Sequence, residues 1–122
     1  DNFKKPNPFS HDIVIGIDEA LDQKVDGLNE HTSQMYEWLP WIANGGEIDP
    51  QVPKDPAARK AWLKGRWMER TMSPAQKAGI GKWYSPEKAA SFKYAESFEI
   101  TEYGLQPTEA DIRRLFPMLS NK

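Results

Sequence analysis

The chain has no cysteine and only two histidines among its 122 residues. The absence of cysteine excludes both a disulfide framework and a thiolate metal site. Any metal ion would need histidine, aspartate or glutamate ligands, and the two histidines, His11 and His31, fall in unrelated predicted elements. We therefore do not expect this chain alone to build a complete zinc site.

Long apolar runs and an excess of one charge are also missing. No run approaches the roughly 20 apolar residues that span a bilayer, so the sequence predicts a soluble protein without a membrane span. The formal charge of −2, from 16 basic and 18 acidic residues, provides no field to attract nucleic acid or an anionic membrane. Neither partner is expected. Cysteine usage leaves the compartment open, with the cytoplasm favoured.

The length gives room for one small domain with a single core. Five Trp, four Tyr and five Phe must supply much of that core. Residues 1–11 are predicted to form an extended arm or linker, because proline removes a backbone donor and disfavours helix at the residue before it. The domain itself would then cover residues 12–122.

The first predicted element is a buried strand. Ile13, Val14, Ile15 and Ile17 are apolar at nearly consecutive positions, which predicts a strand covered on both faces, as in a parallel sheet flanked by helices. The segment 97–103 alternates apolar and polar residues and predicts one further strand, at an edge. Because a central parallel strand needs more neighbours than this, we expect the sheet to borrow strands that these 122 residues do not encode.

Two longer helices follow in the prediction. The first begins at Asp18 as its N-cap, runs to Leu39, and is expected to end at Pro40. A Trp-rich loop leads to Asp55–Pro56, a typical start for a second, basic helix over 57–72. Its cations could bind an anion or form a solvated face, and they are Arg59, Lys60, Lys64, Arg66 and Arg70. Ser73-Pro74 and Ser85-Pro86 predict further helix starts or turns, and Thr108 with Asp111 predicts the start of a short last helix.

Candidate site residues cluster on the first of these helices. His31 and Gln34 are three positions apart and share a helical face. They could line a pocket, or they could be hydrogen-bonded structural groups that anchor the helix to a loop. Ser33 points away from His31 on a regular helix, so a nucleophile and base pair is not expected. The five tryptophans could form a platform that stacks on the apolar faces of sugars, or they could anchor the core and loops. They are Trp38, Trp41, Trp62, Trp67 and Trp83.

Two blocks of the sequence carry a family resemblance. The first joins the apolar strand to Lys24, Leu28, His31-Thr-Ser-Gln34 and Tyr36-Glu-Trp-Leu-Pro40, and the second is Tyr94-Ala-Glu-Ser-Phe-Glu99 with Glu102-Tyr-Gly104. Together they resemble the carboxy-terminal part of the PIG-L (LmbE-like) family of zinc-dependent N-acetylglucosaminyl deacetylases, over most of residues 12–104. The resemblance implies the carboxy-terminal portion of a Rossmann-like α/β fold: strand, long helix, Trp-rich loop, basic helix, edge strand and short helix.

The same resemblance implies hydrolysis of the N-acetyl group of a GlcNAc-type substrate by a zinc-bound water, with an aspartate base and a histidine that stabilises the oxyanion. The family's zinc and base residues lie in an amino-terminal His-Pro-Asp-Asp/Glu motif and a later His-x-Asp-His-like motif, and this sequence has neither. No catalytic or metal residue carries over. The matching positions, expected to be structural or pocket-bordering, are His31, Ser33, Gln34, Tyr94 and Glu96.

The resemblance leaves two hypotheses. In the first, residues 12–122 are a carboxy-terminal segment of a deacetylase, inactive and without zinc until an amino-terminal segment supplies the missing strands and ligands. In the second, the chain is a non-catalytic carbohydrate-binding or protein-interaction module derived from that family, with the Trp-rich loop as its contact surface.

Overall fold

A computed structural model of the chain describes residues 8–68 and 71–119, without the side chains at 67 and 68. The described residues divide into two compact units, whereas the length led us to expect a single core. The first unit joins the residues up to Asp18 with those from Thr71 onward, and the second begins at Glu19. Most of the predicted arm, residues 1–7, lies outside the described residues.

Short helices and one pair of strands make up the two units. The strands are β1 (Ile13–Gly16) and β2 (Ala95–Phe98). The α-helices are α1 (Leu21–Asn29), α2 (Leu39–Ala43), α3 (Pro56–Leu63), α4 (Pro74–Ile80), α5 (Pro86–Ser91) and α6 (Glu109–Leu115). Asp18–Ala20 and Pro117–Leu119 are 3₁₀ turns, and Gln34–Trp38 and Lys64–Met68 are π-helical. The mixed α/β class is confirmed, and the Rossmann-like deacetylase fold stays a prediction.

The sheet of the first unit pairs β1 and β2 in antiparallel fashion, so the predicted parallel arrangement is wrong for the described residues. All three apolar residues from Ile13 to Ile15 are buried, which confirms that both faces of β1 are covered. The covering side chains come from the helices and turns that follow the second unit in sequence, among them Met72, Ile80, Trp83, Ile112 and Leu119. The apolar run therefore indicated burial on two faces but not the direction of the neighbouring strand.

The edge of β1 that faces away from β2 is covered by two aromatic side chains. Backbone groups alternate between the two edges of a strand, and those of Asp12 and Gly16 point away from β2. There the Trp83 indole donates to the Asp12 carbonyl (2.9 Å), and a backbone hydrogen bond from Gly16 reaches the Tyr84 hydroxyl, whose pKa is raised by burial. A borrowed strand would have to displace Trp83 and Tyr84 from this edge.

The Asp12 carboxylate ties the start of β1 to the end of β2. It accepts hydrogen bonds from the Ser10 hydroxyl (2.6 Å) and from the Ile100 amide (2.8 Å). Because the Ile100 amide bonds to a side chain and not to the sheet, β2 ends at Phe98 and does not run over the predicted 97–103. The hydrogen bond from Ser10, helped by that from Ile100, holds the pKa of Asp12 below its ordinary value.

We expect the protein to lose stability in acid through Asp12. A carboxyl whose pKa is lower in the folded state stabilises the fold fully above its unfolded-state pKa, about 3.9. That contribution disappears as the pH falls through the folded-state pKa. Asp12→Asn should therefore flatten the dependence of the unfolding free energy on pH between about pH 5 and pH 2, measured by urea denaturation. Equal slopes for Asp12→Asn, the parent chain and a Glu47→Gln control would contradict this.

The sequence predicted Asp18 as the N-cap of the first helix, but in the structure Asp18 does not cap that helix. Its carboxylate accepts from the backbone amides of Lys93 (3.0 Å) and Tyr94 (3.1 Å). The helix instead begins at Leu21 after a 3₁₀ turn, and its N-cap residue, Ala20, makes no side-chain hydrogen bond. Because the Asp18 carboxylate bonds to two amides distant in sequence, it is not available to cap the helix. Asp18 instead holds the chain entering β2 beside the end of β1.

The predicted long helix from Asp18 to Leu39 is interrupted. The first part, α1, ends at Asn29, and a second helical segment starts after His31 and continues through α2, beyond Pro40. In the π-helical turn the Leu39 amide donates to the Gln34 carbonyl, five residues back. This shifted hydrogen-bond register accommodates Pro40, which has no backbone N–H to donate. The prediction that Pro40 ends the helix was therefore wrong.

The second predicted helix starts where expected and ends early. The Asp55 carboxylate accepts from the Ala57 amide (3.0 Å), and Pro56 occupies the first turn, so the predicted cap is confirmed. The α-helix α3 ends at Leu63 and passes into a π-helical turn. Two residues of the predicted range, 69 and 70, lie outside the described residues, and Met72 belongs to the core of the first unit.

The remaining helix starts are confirmed. Ser73 with Gln76 and Thr108 with Asp111 form capping boxes, and the Ser85 hydroxyl accepts from the Lys88 amide. Each cap joins residues three apart, so a local sequence pattern suffices to place it.

The second unit has its own core, in which α1 packs against α3. Its buried side chains include Leu21, Val25, Tyr36 and Leu63. Lys60 forms an ion pair with Asp26, and Lys64 forms another with Asp22 (2.7 Å). These two cations of the basic helix are solvated ion-pair partners, as one of the two sequence interpretations expects.

Candidate functional site

A pocket with a volume of about 710 Å³ lies within the second unit. One side is formed by residues of the π-helical turn and α2, and the other by the loop before α3. The turn between them contains Gly45 and Gly46, whose φ angles of +69° and +90° lie in the region that favours glycine. Residues 48–54 therefore face the helical segment across the pocket.

Exposed apolar side chains line the pocket. Trp38 is 56% exposed, Trp41 is 47% exposed and Ile48 is 88% exposed. The Trp41 ring lies against Gly46, where an added Cβ would be 3.4 Å from it. Because soluble proteins rarely leave several large apolar groups together in water, this surface is a candidate binding site. These two tryptophans therefore face solvent and the pocket, whereas Trp83 belongs to the core of the first unit.

A buried carboxylate lies in the loop side of the pocket. Asp49 is only 7% exposed, and it accepts from the Gln51 amide (2.9 Å). The Arg66 guanidinium lies 3.3 Å from the Asp49 carboxylate and donates to the Gln51 side chain (3.2 Å). Burial of a charge is costly unless it is paired, so this carboxylate is a neutralised structural anchor of the loop.

Arg59 presents a cation to the pocket from a fixed position. Its Nε donates to the Pro53 carbonyl (3.1 Å), and its guanidinium lies 5.2 Å from the centre of the Tyr36 ring. Tyr36 is itself fixed, because its hydroxyl donates to the Asn29 side chain (2.6 Å) and its ring is buried, which raises its pKa. A hydrogen bond to a backbone carbonyl and a cation–π contact with a buried ring thus hold one guanidinium at the pocket wall.

The five residues singled out by the family resemblance divide between the units. Ser33 and Gln34 line the pocket, and the Ser33 hydroxyl donates to the Gln34 side-chain oxygen (2.7 Å). His31 is exposed just before them and does not line the pocket. Tyr94 and Glu96 lie in the first unit, Tyr94 at the entrance of β2 and Glu96 within it. The pocket therefore brings together only two of the five.

Sequence reasoning missed the buried Asp49 and did not separate Arg59 from the other cations that could bind an anion. Arg59 was grouped with the cations of the basic helix, because periodicity cannot tell a pocket-facing cation from a solvated one. Asp49 carried no signal, since its burial depends on the return of the loop and on Arg66, 17 positions later in the chain. The exposed tryptophans, in contrast, were weighed from the sequence as a binding surface.

The described residues do not fit a zinc site. Over 8–68 and 71–119, no group of three or more histidine, cysteine, aspartate or glutamate side chains is arranged to hold a metal ion. His11 belongs to the first unit and His31 to the second. We therefore assign no catalytic step to these side chains. Every helix in the same ranges is too short or too polar to cross a bilayer.

No protein-family model, curated protein or solved structure matches this chain.

Proposed function

We propose that this chain is a non-catalytic carbohydrate-binding module that holds a GlcNAc-type sugar in the pocket of the second unit. The observation that carries the proposal is the pair of exposed indoles, Trp38 and Trp41, at a concave surface. Pyranose rings have apolar C–H faces, and an indole offers a flat apolar surface of similar size. The polar edge of the same sugar needs hydrogen-bonding partners, which Ser33 and Gln34 supply.

The dimensions of the pocket support a small ligand. A volume of about 710 Å³ falls within the roughly 300–1,000 Å³ of small-molecule sites. Such sites combine a mainly apolar lining with a few polar groups that orient the ligand. Here Ile48, Val52 and Pro53 extend the apolar lining from the loop side.

Replacing either pocket indole should weaken sugar binding. We expect Trp38→Ala and Trp41→Ala each to reduce the affinity for chitotetraose about tenfold, because one lost stacking contact is worth roughly 1.4 kcal/mol. Isothermal titration calorimetry measures this without depending on tryptophan emission. The matched control is Ile42→Ala, since Ile42 is half exposed on α2 and does not line the pocket. Unchanged affinity in both tryptophan variants, or no saturable heat from the parent chain, would refute the proposal.

The family resemblance supports a second candidate that uses the same pocket. In it the chain is the carboxy-terminal segment of a zinc-dependent N-acetyl deacetylase and supplies part of the sugar site, while an amino-terminal segment supplies zinc and its ligands. The observation that favours it is the presence of Ser33 and Gln34, two of the resembling residues, at the pocket. Release of acetate from chitotetraose once such a segment and zinc are added would favour this candidate over the non-catalytic one.

A further inference from the structure

We propose that the sugar bound in this pocket is an acidic one, whose carboxylate pairs with Arg59. The inference rests on the carbohydrate binding proposed above and specifies the chemical class of the ligand. It concerns a residue that the family resemblance does not mark.

The geometry of Arg59 is that of a prepared anion-binding group. Its Nε hydrogen bond to the Pro53 carbonyl and its cation–π contact with the Tyr36 ring restrain the position of the guanidinium. Both contacts leave the two terminal nitrogens unused, and among the described residues Arg59 has no carboxylate partner, unlike Lys60, Lys64 and Arg66 on the same helical stretch. A planar guanidinium with two free terminal nitrogens matches the two oxygens of a carboxylate.

The balance of charge around the pocket favours an anion. The lining side chains include two cations, Lys54 and Arg59, and two carboxylates, Glu37 and Asp49. Asp49 is neutralised by Arg66 (3.3 Å), so one positive charge is left in excess. Glu37 is exposed at the pocket surface, and it is the carboxylate that would oppose an acidic ligand.

The indoles and Arg59 belong to the same pocket, so a single ligand can engage both. An apolar ring face would stack on Trp38 or Trp41, and an anionic group on the ring would reach the guanidinium. A sugar acid in an N-acetylhexosamine-containing chain has both features. A neutral GlcNAc oligomer has only the first, and leaves the guanidinium without a partner.

Hyaluronan tetrasaccharide and chitotetraose are a matched pair of probes for this inference. Both contain N-acetylglucosamine and have the same number of rings, but only hyaluronan carries carboxylates. We expect the full chain to bind the hyaluronan tetrasaccharide about tenfold more tightly at low salt, because a hydrogen-bonded charge pair is worth about that factor. Equal affinities would overturn the inference and leave carbohydrate binding standing, whereas no binding of either probe would overturn both.

Variants of Arg59 test the assignment of the carboxylate to this residue. Arg59→Gln should abolish the preference, lowering the affinity for hyaluronan about tenfold more than the affinity for chitotetraose. Arg59→Lys should keep part of the preference because it retains the charge without the planar fork. Lys60→Gln removes the same charge outside the pocket, so it should change the preference for hyaluronan only slightly. If Arg59→Gln fails to fold, as judged by circular dichroism, the hyaluronan preference of Arg59→Lys is the deciding measurement. An unchanged preference in the folded Arg59 variants would overturn the assignment, and so would equal losses for both probes.

The exposed carboxylate of Glu37 provides a test in which hyaluronan binding should become tighter. Glu37→Gln removes the charge that would repel an acidic ligand, so it should raise the affinity for hyaluronan relative to the affinity for chitotetraose. Weaker hyaluronan binding in Glu37→Gln would contradict an anionic ligand at Arg59.

Discussion

We expect Gly79→Ala to destabilise the protein by about 3 kcal/mol, in the upper range for overpacking of a core. Gly79 lies within α4 where that helix packs against β1, and a Cβ added there would come 2.5 Å from the Val14 Cγ2 atom and 3.2 Å from the His11 carbonyl oxygen. Neither neighbour can retreat easily, because Val14 is fully buried and the carbonyl is backbone. The gain in helix propensity, about 1 kcal/mol, does not offset this clash.

A matched glycine distinguishes the clash from the general effect of the substitution. Gly27 lies inside α1 with nothing within 4 Å of its added Cβ, so Gly27→Ala should stabilise the protein by about 0.5–1 kcal/mol. Urea denaturation followed by circular dichroism measures both free energies of unfolding. In a double-mutant cycle, Val14→Ala should recover part of the loss caused by Gly79→Ala, because the two changes share one contact. Similar effects of the two glycine substitutions would show that α4 does not approach β1 this closely.

The features that sequence patterns predicted correctly are those set by near neighbours. The caps at Asp55, Ser73, Ser85 and Thr108 depend on a side chain and an amide two or three residues apart, and a local pattern contains all of that information. Burial of β1 on two faces was likewise encoded in the strand itself.

The features that were wrong depend on contacts distant in sequence. Asp18 is a residue type typical of an N-cap, but its carboxylate accepts hydrogen bonds from two amides 75 and 76 positions later. The same applies to strand direction, since an apolar strand is buried equally well beside a parallel or an antiparallel neighbour. Pro40 was expected to end a helix because the pattern assumes an α-helical hydrogen-bond register, and the π-helical turn before it changes that register.

The candidate site shows the same division. A tryptophan platform could be proposed from residue type alone, because indoles suit sugar faces wherever they are exposed. Residue type did not separate the exposed Trp38 and Trp41 from the buried Trp83. The role of Arg59 required the Pro53 carbonyl and the Tyr36 ring in three dimensions. Both contacts depend on how the loop before α3 returns over the helical segment, which composition does not determine.

Leu63→Ala tests the core that supports this pocket, and we expect it to cost about 2–5 kcal/mol of stability. Leu63 is completely buried in α3, the helix that packs against α1, so the substitution leaves a cavity there. Leu105→Ala is the control with identical chemistry, because Leu105 is 95% exposed and its truncation should change stability by less than about 0.5 kcal/mol. Since Arg59 lies one helical turn before Leu63 on the same face, loosening α3 should also weaken the Arg59-dependent preference for hyaluronan. Comparable stability losses in the two leucine variants would mean that α3 is not anchored through Leu63.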